Sequence, residues 1–228
     1  MQKQPVNEFY DVSRLPEQPG ILAFFISPSL TQSQQNPDNT FQRMKYFTFA
    51  GEEKISEPEV GMNLIYGDTL YFHEDETEPI ELRNRMIGEI DKHKHGFKKI
   101  LDNNPEFIKK AFNFTTWNQL LLSSSSSSFT DYFGKIKQIY NKDEEFQKYI
   151  KKDFEEIAKR DQLDELQLNF FLEEILVFYL TAKGQMKLQN DFVQGRQNWI
   201  LNCYPRKPMW SQIYLHQLNP FDLSWKES

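Results

Sequence analysis

Apolar residues run without a break from Ile21 to Ile26 (Ile-Leu-Ala-Phe-Phe-Ile), entered by Pro19-Gly20 and stopped by Ser27-Pro28. A short continuous run between turn formers predicts a buried strand. Met62 to Tyr66, closed by Gly67-Asp68, predicts a second, and Phe112 to Trp117, with its aromatic and β-branched residues, a third. Trp199 to Tyr204 and Gln212 to Leu218 complete the predicted strands. Helices are predicted over Leu82 to Leu101, Phe129 to Tyr140, Asp143 to Arg160 and Leu163 to Leu180. Ser29 to Asn39, with five Gln or Asn and Pro37, reads as a loop. The six serines from Ser123 to Ser128 read as a surface loop or helix lead-in, with Ser128 or Thr130 as a cap. Strands alternating with helices predict an α/β layer fold with a mainly parallel sheet flanked by helices, in which ligands bind at the carboxyl ends of the strands. With no internal repeat and no long Gly/Pro linker, residues 1–228 are expected to form one domain, 1–19 being an irregular lead-in.

Composition narrows the class. A chain of 228 residues buries about 70% of the surface its unfolded form would expose, so it needs no disulfide or metal to hold it. The mean hydropathy of -0.69 describes a polar surface. The longest nearly apolar stretch, Leu168 to Leu180, is 13 residues long and contains Asn169, Glu173 and Glu174, too short and too polar to cross a bilayer of about 30 Å. Met1 to Pro19 lacks the basic and apolar regions of a secretory signal, so a cytoplasmic address is expected. The single cysteine, Cys203, excludes an intramolecular disulfide and reads as a small core residue.

The net charge of -6 hides an uneven distribution. Residues 81–160 carry an excess of 4 positive charges and the remainder an excess of 10 negative ones. Between residues 82 and 100, Arg83, Arg85, Lys92, Lys94, Lys98 and Lys99 face only Glu89 and Asp91. Such a helix-length basic segment on an acidic protein suits phosphate contact through counterion release, or is simply a solvated helix face.

Three places are candidates for chemistry. Ser27 ends the first buried strand, where doubly wound folds carry functional loops, although Ser before Pro is also an ordinary turn former. No Gly-x-Ser-x-Gly elbow surrounds it, which argues against the corresponding hydrolases. Glu173 and Glu174 lie in a helix that is apolar almost all round, so at least one of them is expected to be partly desolvated and to need a partner or a function. Tyr204, followed by Pro205, ends the Trp199 to Tyr204 strand, either as a structural aromatic or with its hydroxyl near the region of Ser27. The histidines His73, His93, His95 and His216 have no metal-binding spacing, and no phosphate-binding glycine loop occurs.

Taken in order, Ile26-Ser27, Gly67-Asp68-Thr69-Leu70, Asn169-Phe170-Phe171-Leu172-Glu173-Glu174 and Tyr204-Pro205 resemble the tRNA-dependent cyclodipeptide synthases. The resemblance spans roughly Gly20 to Phe221. It implies a Rossmann-like domain similar to the catalytic domains of class I tyrosyl- and tryptophanyl-tRNA synthetases. It also implies an aminoacyltransferase that makes cyclic dipeptides from two aminoacyl-tRNAs, as a monomer without ATP, metal or other cofactor. By the same resemblance Ser27 is the nucleophile, Glu174 the acid that holds the substrate amine, and Tyr204 an assistant in cyclisation. Phe170, Leu30 and Asp68 take substrate-binding positions, and Arg83, Arg85, Lys92, Lys94, Lys98 and Lys99 the place of the tRNA-binding helix. Pro205 after Tyr204, and Leu30 three residues after Ser27, resemble the Tyr-Pro branch. Phe25 stands where the family usually has Gly, and Phe170 where it usually has Tyr. These two replacements motivate a competing reading, a homologue that binds aminoacyl-tRNA or another partner without turnover.

Overall fold

The computed structural model describes residues 20–27, 35–52, 60–70, 78–105, 112–123, 129–158, 162–186, 188, 199–203 and 209–222. Among the described residues four strands form one sheet: β1 (Gly20–Ile26), β2 (Val60–Tyr66), β3 (Phe112–Thr116) and β4 (Trp199–Cys203). Their order is β3-β2-β1-β4, and each neighbouring pair is parallel. The fold is therefore α/β and Rossmann-like, with an all-parallel sheet between helices. A parallel sheet covered on both faces explains why β1 carries an unbroken apolar run, since every one of its side chains is buried.

The two faces of β1 divide the core by alternation. Leu22, Phe24 and Ile26 pack with Phe41 and Met44 of α1 (Pro37–Glu52) and with Ile90 and Phe97 of α2 (Pro79–Asp102). Ile21, Ala23 and Phe25 pack on the other side, against α3 (Trp117–Leu122), α4 (Phe129–Lys142), α5 (Glu144–Ala158), α6 (Glu165–Ala182) and α7 (Trp210–Leu218). Cys203 is fully buried on the α1 and α2 side, the core role its sequence setting suggests.

Three local readings are corrected. Residues 37–39, predicted as loop, open α1: Asn36 caps it by accepting the Asn39 amide at 2.8 Å, and Pro37 takes the first helical position, where its missing N–H costs nothing. Trp117, predicted as the end of a strand, starts α3, because Thr116 and Gln119 form a reciprocal capping box. Gln212 to Leu218, predicted as a strand, is helical within α7, whose inward face is Ser211, Gln212 and Leu215. The N-terminus of that helix is held by Asp153 of α5, which accepts the Trp210 amide at 2.9 Å and the Ser211 amide at 2.8 Å. Residues 1–19 and 124–128 lie outside the described residues, so their expected lead-in and loop are not placed.

Candidate functional site

Strand order reverses between β1 and β4: the chain moves outward from β1 to β3, then returns to the other side of β1. The crevice beyond the carboxyl ends of β1 and β4 is where this topology places ligands. Ser27 is the first residue past β1, half-buried, beside the place where the Gly67 amide donates to the Ile26 carbonyl at 3.0 Å. Ala23 and Phe25 face α6, and alternation continued one residue past β1 would turn position 27 to that same side.

Helix α6 brings its carboxylates to this edge. Glu173 meets Trp117, the first residue after β3, whose indole Nε1–H donates to Glu173 Oε1 at 2.8 Å. Five residues further on, the Phe178 carbonyl accepts from the side chain of Asn202, which pairs with Ala23 in the middle of the sheet. The helix thus runs antiparallel to the strands, with its N-terminal half at their carboxyl ends. Phe25 and Phe178 touch edge-to-face with ring centroids 4.2 Å apart, and Trp117 lies 6.1 Å from each.

From this contact the levels follow. Ser27 lies two residues beyond Phe25, about 6.6 Å along the strand. Glu174 lies one turn before Phe178, about 6 Å along the helix. It also stands about 40° from Phe178 and 100° from Glu173 around the helix, between two residues that both reach Trp117. Ser27 and Glu174 thus each lie about 6 Å from the Phe25–Trp117–Phe178 cluster along their own elements.

The two neighbouring carboxylates are in different settings. Glu173 is buried at 8% exposure and tied to Trp117, whereas Glu174 is half-buried. Phe170, one turn before Glu174, is half-buried with its ring 6.0 Å from that of Phe171. Asp68, just past β2, accepts the Asn118 amide at 3.2 Å and so joins the exit of β2 to the start of α3. Leu30 and Tyr204-Pro205 lie outside the described residues.

The basic segment forms most of α2, but its cations do not share one face. Leu82, Met86, Ile90 and Phe97 turn inward. Arg85, Lys92 and Lys99, spaced by seven, are exposed along one flank, with Lys92 bonded to Glu89 at 2.8 Å. Arg83 and Lys98 are exposed on the other flank, while Lys94 on that side is half-buried with its Nζ 5.5 Å from the Tyr66 ring and 5.7 Å from the Phe114 ring. Among the described residues no group of three His, Cys, Asp or Glu could hold a metal ion, and no helix is long and apolar enough to cross a membrane.

Sequence reasoning missed Trp117 as a partner of Glu173, although the Thr116-x-x-Gln119 signature marks a helix starting there. It also missed Gln35, whose side-chain Oε1 accepts the Ser27 N–H. No local signal foretells that second contact, which spans eight positions.

No protein-family model and no curated protein matches the chain. Solved structures do share its shape. One described as a CDPS (cyclodipeptide synthase) from Fluoribacter dumoffii is 15% identical over 97% of this chain and 90% of its own, with a TM-score of 0.58. A CDPS from Staphylococcus haemolyticus is 15% identical over 91% of this chain and 87% of its own, at 0.50. A cyclodipeptide synthase from Streptomyces noursei is 11% identical over 73% of this chain and 76% of its own, at 0.47. At these identities the first two likenesses establish a common fold.

Proposed function

We propose that the chain is a tRNA-dependent cyclodipeptide synthase, an aminoacyltransferase that condenses two aminoacyl groups on Ser27. The observation that carries this reading is the scaffold, which has the fold of proteins described as CDPSs and places a serine, Ser27, just past β1 beside the reversal of strand order.

An aminoacyl-tRNA is an activated ester, so the chemistry asks for a placed nucleophile and a path for protons. Ser27 Oγ attacks the ester carbonyl, the bond to the ribose oxygen breaks, and the serine proton passes to that oxygen as the tRNA leaves. The amine of a second aminoacyl-tRNA then attacks the acyl carbon, freeing Ser27 and forming a dipeptidyl ester on that second tRNA; Ser27 Oγ attacks this ester in turn, the bond to the ribose oxygen breaks, and the second tRNA leaves with the serine proton. Attack of the dipeptide's own amine on its ester to Ser27 closes the ring and restores the serine. Glu174 holds the ammonium of the first aminoacyl group, and exposed cations of α2 meet tRNA phosphates. The roles of Tyr204, Leu30, Phe170 and Asp68, and the Tyr-Pro branch, rest on the sequence resemblance.

A second reading is favoured by Phe25. Its ring, 7% exposed, packs against Trp117 and Phe178 two residues before Ser27, which suits a homologue that holds aminoacyl-tRNA without turnover. Incubation with a set of aminoacylated tRNAs, followed by mass spectrometry, separates the two. A cyclic dipeptide is the expected product, whereas tRNA binding with no dipeptide formed would favour the binder.

A further inference from the structure

Behind Ser27, on the face of β1 opposite Glu174, lies a polar cluster that the proposed chemistry does not use. Gln35, Thr40 and Arg43 stand at the start of α1 and are buried. Tyr66 ends β2 and is fully buried, and His93 comes from α2. The Thr40 hydroxyl donates to the Gln35 carbonyl at 3.4 Å and lies 3.3 Å from His93 Nε2. Arg43 Nη2 donates to Thr40 Oγ1 at 3.5 Å, and the Tyr66 hydroxyl lies 3.0 Å from His93 Nδ1. His93 also bonds to the Gln35 backbone.

Close packing supports this platform. A Cβ on Gly96 of α2 would stand 2.8 Å from Pro37 Cγ, inside the closest approach that carbon atoms tolerate, so glycine is what lets the start of α1 sit flush on α2. The backbone of Gln35 is thus fixed by Thr40 and His93, and its side chain is left to reach β1. There Oε1 accepts the Ser27 N–H. Ser27 lies one residue past the strand, so this side chain continues the hydrogen bonding of the backbone beyond the sheet.

We propose that Gln35 is a positioning residue for Ser27: it fixes the backbone at the end of β1 and with it the side to which the serine turns. The inference rests on the reading of Ser27 as the acyl acceptor. Side chains alternate along a strand, so a backbone that turns by one residue at this point carries Ser27 to the wrong face. The same bond commits the Ser27 amide hydrogen to Gln35, so that the oxyanion of the acylation step draws its donors from other groups.

The test compares Gln35→Leu, which removes the acceptor, with Gln35→Glu, which keeps an oxygen in its place. Three quantities are measured: single-turnover acylation of the protein by aminoacyl-tRNA, affinity for the tRNA, and hydrogen exchange at the Ser27 amide. Gln35→Leu is expected to slow acylation by about 10- to 100-fold, the range that a displacement of about 1 Å costs, with tRNA affinity unchanged. The Ser27 amide should be protected in the wild type and in Gln35→Glu and exposed in Gln35→Leu, and Gln35→Glu should recover most of the rate. If Gln35→Leu does not fold, Gln35→Asn, one methylene too short to reach Ser27, takes its place with the same expected loss. Gly96→Ala, which lifts α1 without touching Gln35, should slow acylation in the same direction. Acylation of Gln35→Leu at the wild-type rate overturns the positioning role alone, and equal losses in the Leu and Glu variants that follow their melting temperatures reduce Gln35 to a structural residue. A wild-type protein that takes no acyl group overturns the assignment of Ser27, and this inference with it.

Discussion

Replacing Trp117 with Phe probes the bond that ties α3 to α6 beneath the candidate site. Trp117 is 2% exposed, and its Nε1–H donates to Oε1 of buried Glu173 at 2.8 Å. A hydrogen bond to a charged group contributes about 1.5–3 kcal/mol, because the carboxylate left behind stays desolvated. Loss of part of the buried indole adds about 1 kcal/mol. The variant should therefore be about 3 kcal/mol less stable, which in a chain of this size lowers the melting temperature by roughly 6–12 °C. Urea unfolding of the wild type, Trp117→Phe, Glu173→Gln and the double variant isolates the bond from the packing term. The expected coupling is about 1–2 kcal/mol. A coupling below about 0.5 kcal/mol, the scatter of independent sites, would refute the argument that this bond holds Glu173 in place.

The two carboxylates should separate by readout: Glu174→Gln should sharply reduce cyclic dipeptide formation with a stability change within about 1 kcal/mol, whereas Glu173→Gln should lower the urea midpoint and keep measurable turnover. Changing Lys98 and Lys99 to Ala should weaken tRNA binding and flatten its log-log salt dependence by about 0.7–0.9 for each phosphate no longer neutralised. Burial, assisted by the nearby Arg43 and opposed by a bond to the Gln35 backbone, pushes the His93 pKa down to about 4. The unfolded chain, with its histidine near 6.5, binds the proton more readily, so the stability tied to His93 is complete above pH 6.5 and drains away as the pH falls toward 4. Between pH 7 and pH 5 the wild type should lose about 2 kcal/mol more than His93→Gln in urea unfolding. Asp153→Ala should cost about 3 kcal/mol, since the carboxylate accepts the Trp210 amide, the Ser211 amide and the Ser211 hydroxyl, and hydrogen exchange should show α7 loosening first.

The parts of the fold that were legible are those whose burial is complete. β1 announces itself because both of its faces are covered, and α6 because its stretch from Leu168 to Leu180 is nearly apolar apart from Asn169, Glu173 and Glu174. The expectation that one of the two acids is desolvated holds for Glu173, which the resemblance did not select. α7 was misread because two of its inward residues, Ser211 and Gln212, are polar, leaving Ile213 and Leu215 to imitate the alternation of a strand. Its cap comes from Asp153, 57 and 58 residues away, which no local pattern reveals. The start of α1 did carry a signal in Asn36-Pro37, masked by the Gln residues before it. How α6 packs across β1 is set by Phe25, Trp117 and Phe178 together and by none of them alone, so no local pattern shows it.

The central claim is that Ser27 carries the acyl group, and mass spectrometry of the protein after brief exposure to aminoacyl-tRNA tests it most directly. One aminoacyl adduct is expected on the peptide containing Ser27, labile to hydroxylamine as an ester is, with neither adduct nor cyclic dipeptide from Ser27→Ala. Cyclic dipeptide made by Ser27→Ala, or an adduct that maps to another residue, would contradict it.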